Sequence, residues 1–81
     1  MNEDKTDETM VKEFWSSPDE AFFGQESIAA VIHKSIKTLE SDRWLGKGAP
    51  YRKVGGRVLY RKVDVVKWIE GYKLVKGKGN D

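Results

Sequence analysis

Cysteine is absent from this chain of 81 residues, and histidine occurs once, at position 33. Without cysteine the chain forms no disulfides and offers no thiolate ligands to a metal ion. His33 has no second histidine with which to complete a zinc site, so we interpret it as a turn residue, with a phosphate contact as the functional alternative. The sequence therefore predicts neither a metal site nor a bound cofactor.

Long apolar runs are also missing. The longest contains five residues, Ile28 to Ile32, whereas a membrane-spanning helix needs about 20. The first residues are acidic, unlike the basic and then apolar start of a secretory signal. We expect a cytoplasmic protein that has no membrane partner. A chain of this length forms one small domain, whose core needs the three Trp, three Tyr and three Phe residues.

Groupings of residues that carry catalysis are not found either. No pair of carboxylates is placed for acid–base chemistry, and no glycine-rich loop opens a helix to hold a phosphate. The pairs Gly46-x-Gly48 and Gly55-Gly56 are too short for that role and fall in a turn and a hairpin. We therefore expect a protein that is not an enzyme and takes no small-molecule substrate.

The charges are distributed unevenly along the chain, although the net charge is only +2. Residues 1–20 carry seven acidic side chains against two lysines, a net charge of −5. Residues 21–81 carry thirteen Lys or Arg against six acidic side chains, a net charge of +7. A basic folded part of this kind favours a polyanionic partner.

Composition divides the chain into three regions. Residues 1–13 are predicted to form a disordered acidic tail, because so few apolar side chains cannot offset the entropy of ordering. Residues 14–72 are predicted to form the domain, and residues 73–81 a flexible basic tail. The acidic tail could compete for the basic face as an intramolecular brake, but a solvated tail is the simpler interpretation. The basic tail could attract phosphates or contact a protein partner.

Four aromatic residues precede the predicted helices: Phe14-Trp15 and Phe22-Phe23. Between the two pairs, Ser17, Pro18 and Glu20 match a capping box with proline in the first helical position, which predicts one helical turn. We expect the aromatic side chains to cover the helices that follow and to enlarge the core. Exposure of Trp15 for a partner is the alternative.

Two short helices joined by a tight link are predicted next. The first follows Gly24 and covers about residues 25–32. Ser35 is a good N-cap for the second, because its hydroxyl can accept a free backbone N–H of the first turn. Leu39 is expected to face inward, and Trp44 to pack under the hairpin that follows. Such a pair of helices is typical of a helix-turn-helix.

A hairpin and a closing helix complete the predicted domain. Residues 51–60 have the pattern of two short strands around Gly55-Gly56, which tolerate positive φ. Val54 is expected to face the core, and a helix over about residues 62–71 closes the core with Trp68. The predicted fold class is α+β, a small winged helix-turn-helix with a two-stranded hairpin as the wing.

This layout is suited to reading duplex DNA, because a helix fits the major groove and an arginine on a hairpin reaches the backbone or minor groove. Lys37 can donate to guanine, Ser41 can contact any base, and Glu40 can accept from cytosine. For Lys37 and Glu40 a merely solvated helical face is the alternative. The predicted contacts on the helix are Lys34, Ser35, Ile36, Lys37, Glu40, Ser41 and Arg43. The predicted contacts on the wing are Arg52, Lys53, Gly55, Gly56, Arg57 and Arg61.

An ordered set of short motifs runs from about residue 23 to residue 72. It comprises Ser35-x-x-Thr38-Leu39-Glu40, Arg43-Trp44, Gly46-x-Gly48-x-Pro50-Tyr51, Lys53-Val54-Gly55, Val58-x-Tyr60-Arg61 and Asp64-Val65-x-x-Trp68-Ile69. This set resembles the excisionase and AlpA-like small regulators, a branch of the MerR-like winged helix-turn-helix proteins found on phages, plasmids and integrated elements. Relatives usually have Thr, Ser or Asp where this chain has Gly24.

The resemblance implies a small sequence-specific binder of double-stranded DNA, often a recombination directionality factor. Such proteins bind side by side, bend attachment-site DNA and help a tyrosine-type integrase to excise an element in the bacterial nucleoid. On this resemblance Ser35 and Lys37 read DNA, and Arg57 is the wing contact. Bending a site costs on the order of 1–6 kcal/mol, which favours cooperative self-association on DNA.

Three hypotheses of function remain open at the level of sequence. The first is the excision factor, and the second is a transcriptional regulator of the same fold, encoded by a phage or mobile element. The third is a protein-interaction module that docks on a recombinase or phage protein through its aromatic segment or basic tail. The first two share every feature of the residues, so only their effect on DNA separates them.

Overall fold

The structure, a computed structural model, describes residues 6–76, so the first five residues of the predicted acidic tail and the last five of the basic tail lie outside it. The elements follow one another as α1 (Asp7–Ser16), β1 (Phe22–Gly24), α2 (Gln25–Ile32), α3 (Ile36–Trp44), β2 (Arg52–Val54), β3 (Arg57–Arg61) and α4 (Lys62–Glu70). The fold class is α+β, with four helices and one three-stranded antiparallel sheet in the described part of the chain.

Helix α2 has the bounds that the sequence predicts, and α3 begins directly after its predicted N-cap Ser35, with a link of three residues between the two helices. His33 ends α2 in the left-handed conformation at φ 59°, and the next backbone N–H, of Lys34, returns to the Ala29 carbonyl at 3.0 Å. The His33 N–H in turn bonds the Ala30 carbonyl at 3.4 Å, so two carbonyls at the end of α2 have partners. Ser35 begins α3, because its hydroxyl accepts the Thr38 backbone N–H at 3.1 Å. The turn is therefore set by local capping at both helix ends.

The sheet has one strand more than the predicted hairpin. Its order is β1-β3-β2, so β3 is the central strand and Phe22–Gly24 forms an edge that the sequence analysis did not predict. The predicted hairpin itself is confirmed: Val54 pairs with Arg57, and Gly55 and Gly56 both have positive φ. Two positive φ values in a two-residue turn match the strand twist and favour glycine at both positions.

Helix α1 shows that the prediction of a disordered tail over residues 1–13 was wrong for residues 7–13. Thr6 caps the helix by accepting the Thr9 backbone N–H at 3.2 Å, and Asp7 and Glu8 stand in the first turn, where acidic side chains are favourable. Phe14 anchors the helix in the core with no exposed surface. The acidic composition of the segment predicted disorder, whereas its residues form a short amphipathic helix.

The segment between α1 and β1 also differs from the prediction. Instead of a helical turn opened by a capping box, Ser17 ends α1, and a reverse turn follows in which the Ala21 N–H bonds the Pro18 carbonyl at 3.0 Å. The hydroxyl of Ser17 accordingly turns back to the Glu13 carbonyl at 2.5 Å. This turn leads the chain directly into β1.

The core lies between the sheet and the helices. Its buried members are Phe14, Ile28, Ala29, Leu39, Ala49, Tyr60 and Val65. Leu39 faces inward as predicted, and Trp68 packs against the core from α4. Two predictions were wrong: Val54 is 54% exposed, and Trp44, expected under the hairpin, is 87% exposed. The buried aromatic residue of the hairpin is Tyr60 on β3, which is 1% exposed.

Lys62 connects the start of α4 with the end of α1. It is the first residue of α4, only 7% exposed, and its ammonium donates to the carbonyls of Trp15 and Ser17 at the end of α1. A cation at a helix C-terminus satisfies free carbonyls and interacts favourably with the helix dipole. The ammonium also lies 5.7 Å from the centre of the Phe14 ring. Lys62 therefore docks α1 on the rest of the domain.

Candidate functional site

Exposed side chains form a stripe along α3. Lys37, Ser41 and Trp44 are spaced at i, i+4 and i+7, so they share one face of the helix, and Glu40 lies beside them. All four are exposed, whereas Leu39 on the opposite face is buried. The buried half of α3 thus holds the helix on the core and leaves this stripe to face outward.

The β2–β3 hairpin supplies the second part of the site. Every residue from Arg52 to Arg57 is exposed. Three of these residues are cations: Arg52, Lys53 and Arg57. The tight Gly55-Gly56 turn exposes backbone that carries no side chains, so another surface can approach it closely. The hairpin therefore presents a narrow basic tip.

A cleft of ≈ 390 Å³ separates the hairpin from the two helices. Its walls are Gln25, Glu26, Glu40, Arg43, Lys53, Gly56, Arg57 and Val58. A β-carbon on Gly24 would stand 3.1 Å from the Glu26 oxygen Oε1 and 3.4 Å from the Arg57 nitrogen Nη2. The bare Gly24 backbone thus leaves room for the Glu26 carboxylate, with the Arg57 guanidinium beside it at the first turn of α2.

The charge of this surface is predominantly positive. Lys37, Arg52, Lys53 and Arg57 are exposed, and within residues 6–76 none of them forms an ion pair. Glu40 is the acidic member of the α3 stripe. Lys53 and Arg57 line the cleft, where Glu26 and Glu40 also lie, and Lys37 and Arg52 add exposed positive charge outside it. An excess of cations over the helix and the hairpin creates a positive potential that attracts anions. The arrangement can bind an extended polyanion along the helix and the hairpin together.

Three of the predicted helix contacts have structural roles. The Lys34 ammonium lies 3.2 Å from the Asp42 carboxylate, whose side chain is 11% exposed, while the Lys34 side chain remains 39% exposed. The Ser35 hydroxyl caps α3, and Ile36 packs partly against the core. Lys34 can still turn outward if this ion pair breaks. The side chains of Ser35 and Ile36, in contrast, stabilise α3 and its packing.

Arg43 is not on the exposed face of α3. Its guanidinium donates to the Tyr60 hydroxyl at 2.8 Å and to the Gln25 side-chain oxygen at 3.1 Å, and it lies 5.6 Å from the centre of the Tyr51 ring. These contacts connect α3 with the central strand and with the start of α2. The structure therefore places Arg43 as the residue that positions the three elements around the cleft.

Arg61 is separated from the rest of the predicted wing. It neighbours Tyr60 on β3, and because side chains alternate along a strand, it faces the side of the sheet away from the core and α3. Its guanidinium lies 5.4 Å from the centre of the Phe22 ring, and its Nε atom is buried. The structure groups Arg61 with β1, at the other end of β3 from the Gly55-Gly56 turn.

Two exposed aromatic residues belong to the site and were not predicted for it. Trp44 and Tyr51 line a second cleft of ≈ 270 Å³ between α3 and the hairpin, together with Lys53. Helical spacing from Lys37 could have identified Trp44, because position 44 falls on the same stripe. Its hydrophobicity led instead to an assignment to the core.

Within residues 6–76, no three acidic or histidine side chains lie close enough to one another to hold a metal ion. In the same part of the chain, no helix has the length and apolar character needed to cross a membrane. Comparison with known proteins found no matching family model, no matching curated protein and no matching solved structure.

Proposed function

We propose that the protein binds double-stranded DNA through a winged helix-turn-helix, with α2 and α3 as the helix pair, α3 as the recognition helix and the β2–β3 hairpin as the wing. The observation that carries this proposal is the exposed stripe of α3 beside a basic hairpin tip, with one cleft between them. A helix with polar outward side chains and an adjacent basic hairpin is a common means of reading a duplex.

The dimensions are suitable for this mode of binding. An α-helix with its side chains is about 10–12 Å in diameter, and the major groove of B-form DNA, about 12 Å wide, admits one such helix. The nine residues of α3 extend about 13.5 Å along the helix axis. Lys37, Glu40 and Ser41 would then face base edges, while the cations of the hairpin contact the phosphate backbone or the adjacent minor groove.

The roles of the side chains follow from their chemistry. The Lys37 ammonium donates to the O6 and N7 acceptors of guanine, Ser41 contacts either kind of base, and Glu40 accepts from the amino group of cytosine. Arg52, Lys53 and Arg57 neutralise phosphates, which contributes affinity without sequence information. Specificity thus comes chiefly from α3, and much of the affinity from the hairpin.

The resemblance to excisionases and AlpA-like regulators supports a narrower proposal. In this role the protein binds as several adjacent copies, bends attachment-site DNA and assists a tyrosine-type integrase in excision within a bacterial cell. Cooperative copies are needed because the energy required for bending, on the order of 1–6 kcal/mol, is large for one domain of this size. The DNA-binding proposal does not depend on this narrower role.

Fluorescence anisotropy tests the proposal for DNA binding. A labelled mixed-sequence duplex of about three helical turns is titrated with the protein over a series of salt concentrations. We expect micromolar binding, with a log–log salt slope of roughly −4 to −5 if about five cations release counterions. Absence of binding even at low salt would exclude the recognition-helix assignment.

Two variants then distinguish recognition of bases from nonspecific attraction to phosphates. Lys67→Ala is the control, because Lys67 is exposed on α4, outside the site. Arg57→Ala should weaken binding to all duplexes alike, by roughly 1 kcal/mol. Lys37→Ala should in addition change the sequence preference, measured by selection from randomised duplexes, at a cost of about 1–3 kcal/mol on the preferred site. Equal losses for both variants on preferred and random DNA would contradict the assignment of α3.

Excision itself is tested on the selected site. Circular permutation of a duplex fragment that carries tandem copies of the site should show a bend that grows as further copies of the protein bind. Tight binding to a single operator without any bend would favour the transcriptional regulator instead.

A further inference from the structure

Trp44 is the most exposed large apolar side chain among residues 6–76, at 87%. Exposure of an indole to water is unfavourable, and burial of its surface in a complex would be correspondingly favourable. The side chain stands near the end of α3, where Lys37 and Ser41 precede it on the same face. A binding partner of the α3 stripe would therefore also meet Trp44.

The charges beside Trp44 favour a polyanion over a second copy of this chain. Arg43 and Lys53 line the same cleft as Trp44 together with one carboxylate, Glu40, and Lys47 is exposed three residues further along the chain. The cations outnumber the carboxylate, so a second copy placed here by symmetry would bring an excess of like charge together. DNA instead brings phosphates to the lysines and base edges to the helix.

We infer that Trp44 reads the C5-methyl group of a thymine in the major groove, an inference that rests on the proposed DNA-binding function. The thymine methyl group is the apolar feature of the major groove, and apolar side chains recognise it by contact. Trp44 lies about 10 Å along the helix axis from Lys37. Because Lys37 is near the start and Trp44 at the end of α3, a helix lying in the major groove would bring them to base pairs at opposite ends of its footprint.

The test uses a duplex selected by the wild-type protein from a randomised pool. Each thymine of this duplex is replaced in turn by deoxyuridine, which lacks the methyl group and retains the pairing edge. At one thymine we expect the wild-type dissociation constant to rise about fourfold, the factor that burial of one methyl group contributes. Trp44→Ala should bind the unmodified duplex about tenfold more weakly and should not respond to deoxyuridine at that position.

Leu74→Ala is the matched control. Leu74 is also apolar and 79% exposed, but it follows α4 and lies outside α3 and the β2–β3 hairpin. This variant should keep both the wild-type affinity and the response to deoxyuridine. Because Trp44 is so exposed, Trp44→Ala should also keep the wild-type unfolding midpoint, which circular dichroism measures.

The possible results separate this inference from the proposed function. If Trp44→Ala keeps wild-type affinity, or still responds to deoxyuridine at the same position, the methyl assignment is overturned while DNA binding stands. If Trp44→Ala loses only cooperativity and keeps single-site affinity, Trp44 contacts a neighbouring copy and the inference is again overturned. If the wild-type protein selects no duplex, the DNA-binding proposal itself fails.

Discussion

Lys62 is a buried cation whose partners are main-chain carbonyls rather than a carboxylate. Its ammonium accounts for two of the carbonyls at the end of α1 and holds that helix beside Phe14. Hydrogen bonds from charged groups contribute more than neutral ones, and loss of the donor leaves carbonyls without a partner. The residue therefore belongs to the stability of the domain and not to the basic surface.

We expect Lys62→Met to lower the free energy of unfolding by about 1–3 kcal/mol, since methionine fills similar space but donates no hydrogen bond. Urea denaturation followed by circular dichroism measures the change. Lys67→Met, at an exposed position of the same helix, should change the stability by less than about 0.5 kcal/mol. Equal effects of the two substitutions would show that the Lys62 ammonium does not hold α1.

At the scale of elements, local signals predicted α2, α3, the glycine turn and α4, and non-local contacts account for most of what was missed. Strand β1 consists of three residues that acquire their pairing only from β3, far along the chain. The roles of Lys34 and Arg43 likewise depend on Asp42, Gln25 and Tyr60 as partners, and no helical or strand period encodes those contacts. Exposed positions of the site, such as Lys37 and Ser41, follow from helical spacing alone.

Ser35, which the sequence analysis predicted as a DNA contact, caps α3 in the structure. Its hydroxyl accepts the Thr38 N–H at 3.1 Å and so satisfies one free donor of the first turn of α3. We expect Ser35→Ala to lower the free energy of unfolding by about 1 kcal/mol, the usual cost of losing such a cap. Ser41→Ala offers a matched control on the same helix.

Because Ser41 is exposed in the body of α3, alanine there should leave the stability unchanged or raise it slightly. Thermal unfolding of the two variants at equal concentration makes the comparison. Ser35→Asp, which also caps helices, should restore most of the loss. An unchanged midpoint for Ser35→Ala would mean that α3 begins without this cap and that Ser35 is available to DNA.

At the scale of the whole molecule, the cations divide into those exposed at the proposed DNA-binding surface and those that hold the fold. Arg57 stands at the basic tip beside the cleft, whereas Arg61 lies at the opposite end of β3 against Phe22. Both residues contribute equally to the net charge of +2. If the protein binds DNA as proposed, counting charges along the sequence overestimates the number of phosphate contacts, and we expect Arg57 rather than Arg61 to make one.

The salt dependence of the proposed DNA binding tests whether Arg57 contacts phosphate and Arg61 does not. Each phosphate contact contributes about 0.9 to the log–log slope on duplex DNA, so Arg57→Gln should reduce its magnitude by roughly one. Arg61→Gln removes the same charge but should leave the slope within about 0.3 of wild type, because a charge outside the contact surface releases no counterions. Anisotropy titrations at four or more salt concentrations give both slopes. A loss of similar size for Arg61→Gln would mean that DNA also contacts the far end of β3 beside Phe22, and would contradict a contact surface limited to α3 and the hairpin tip.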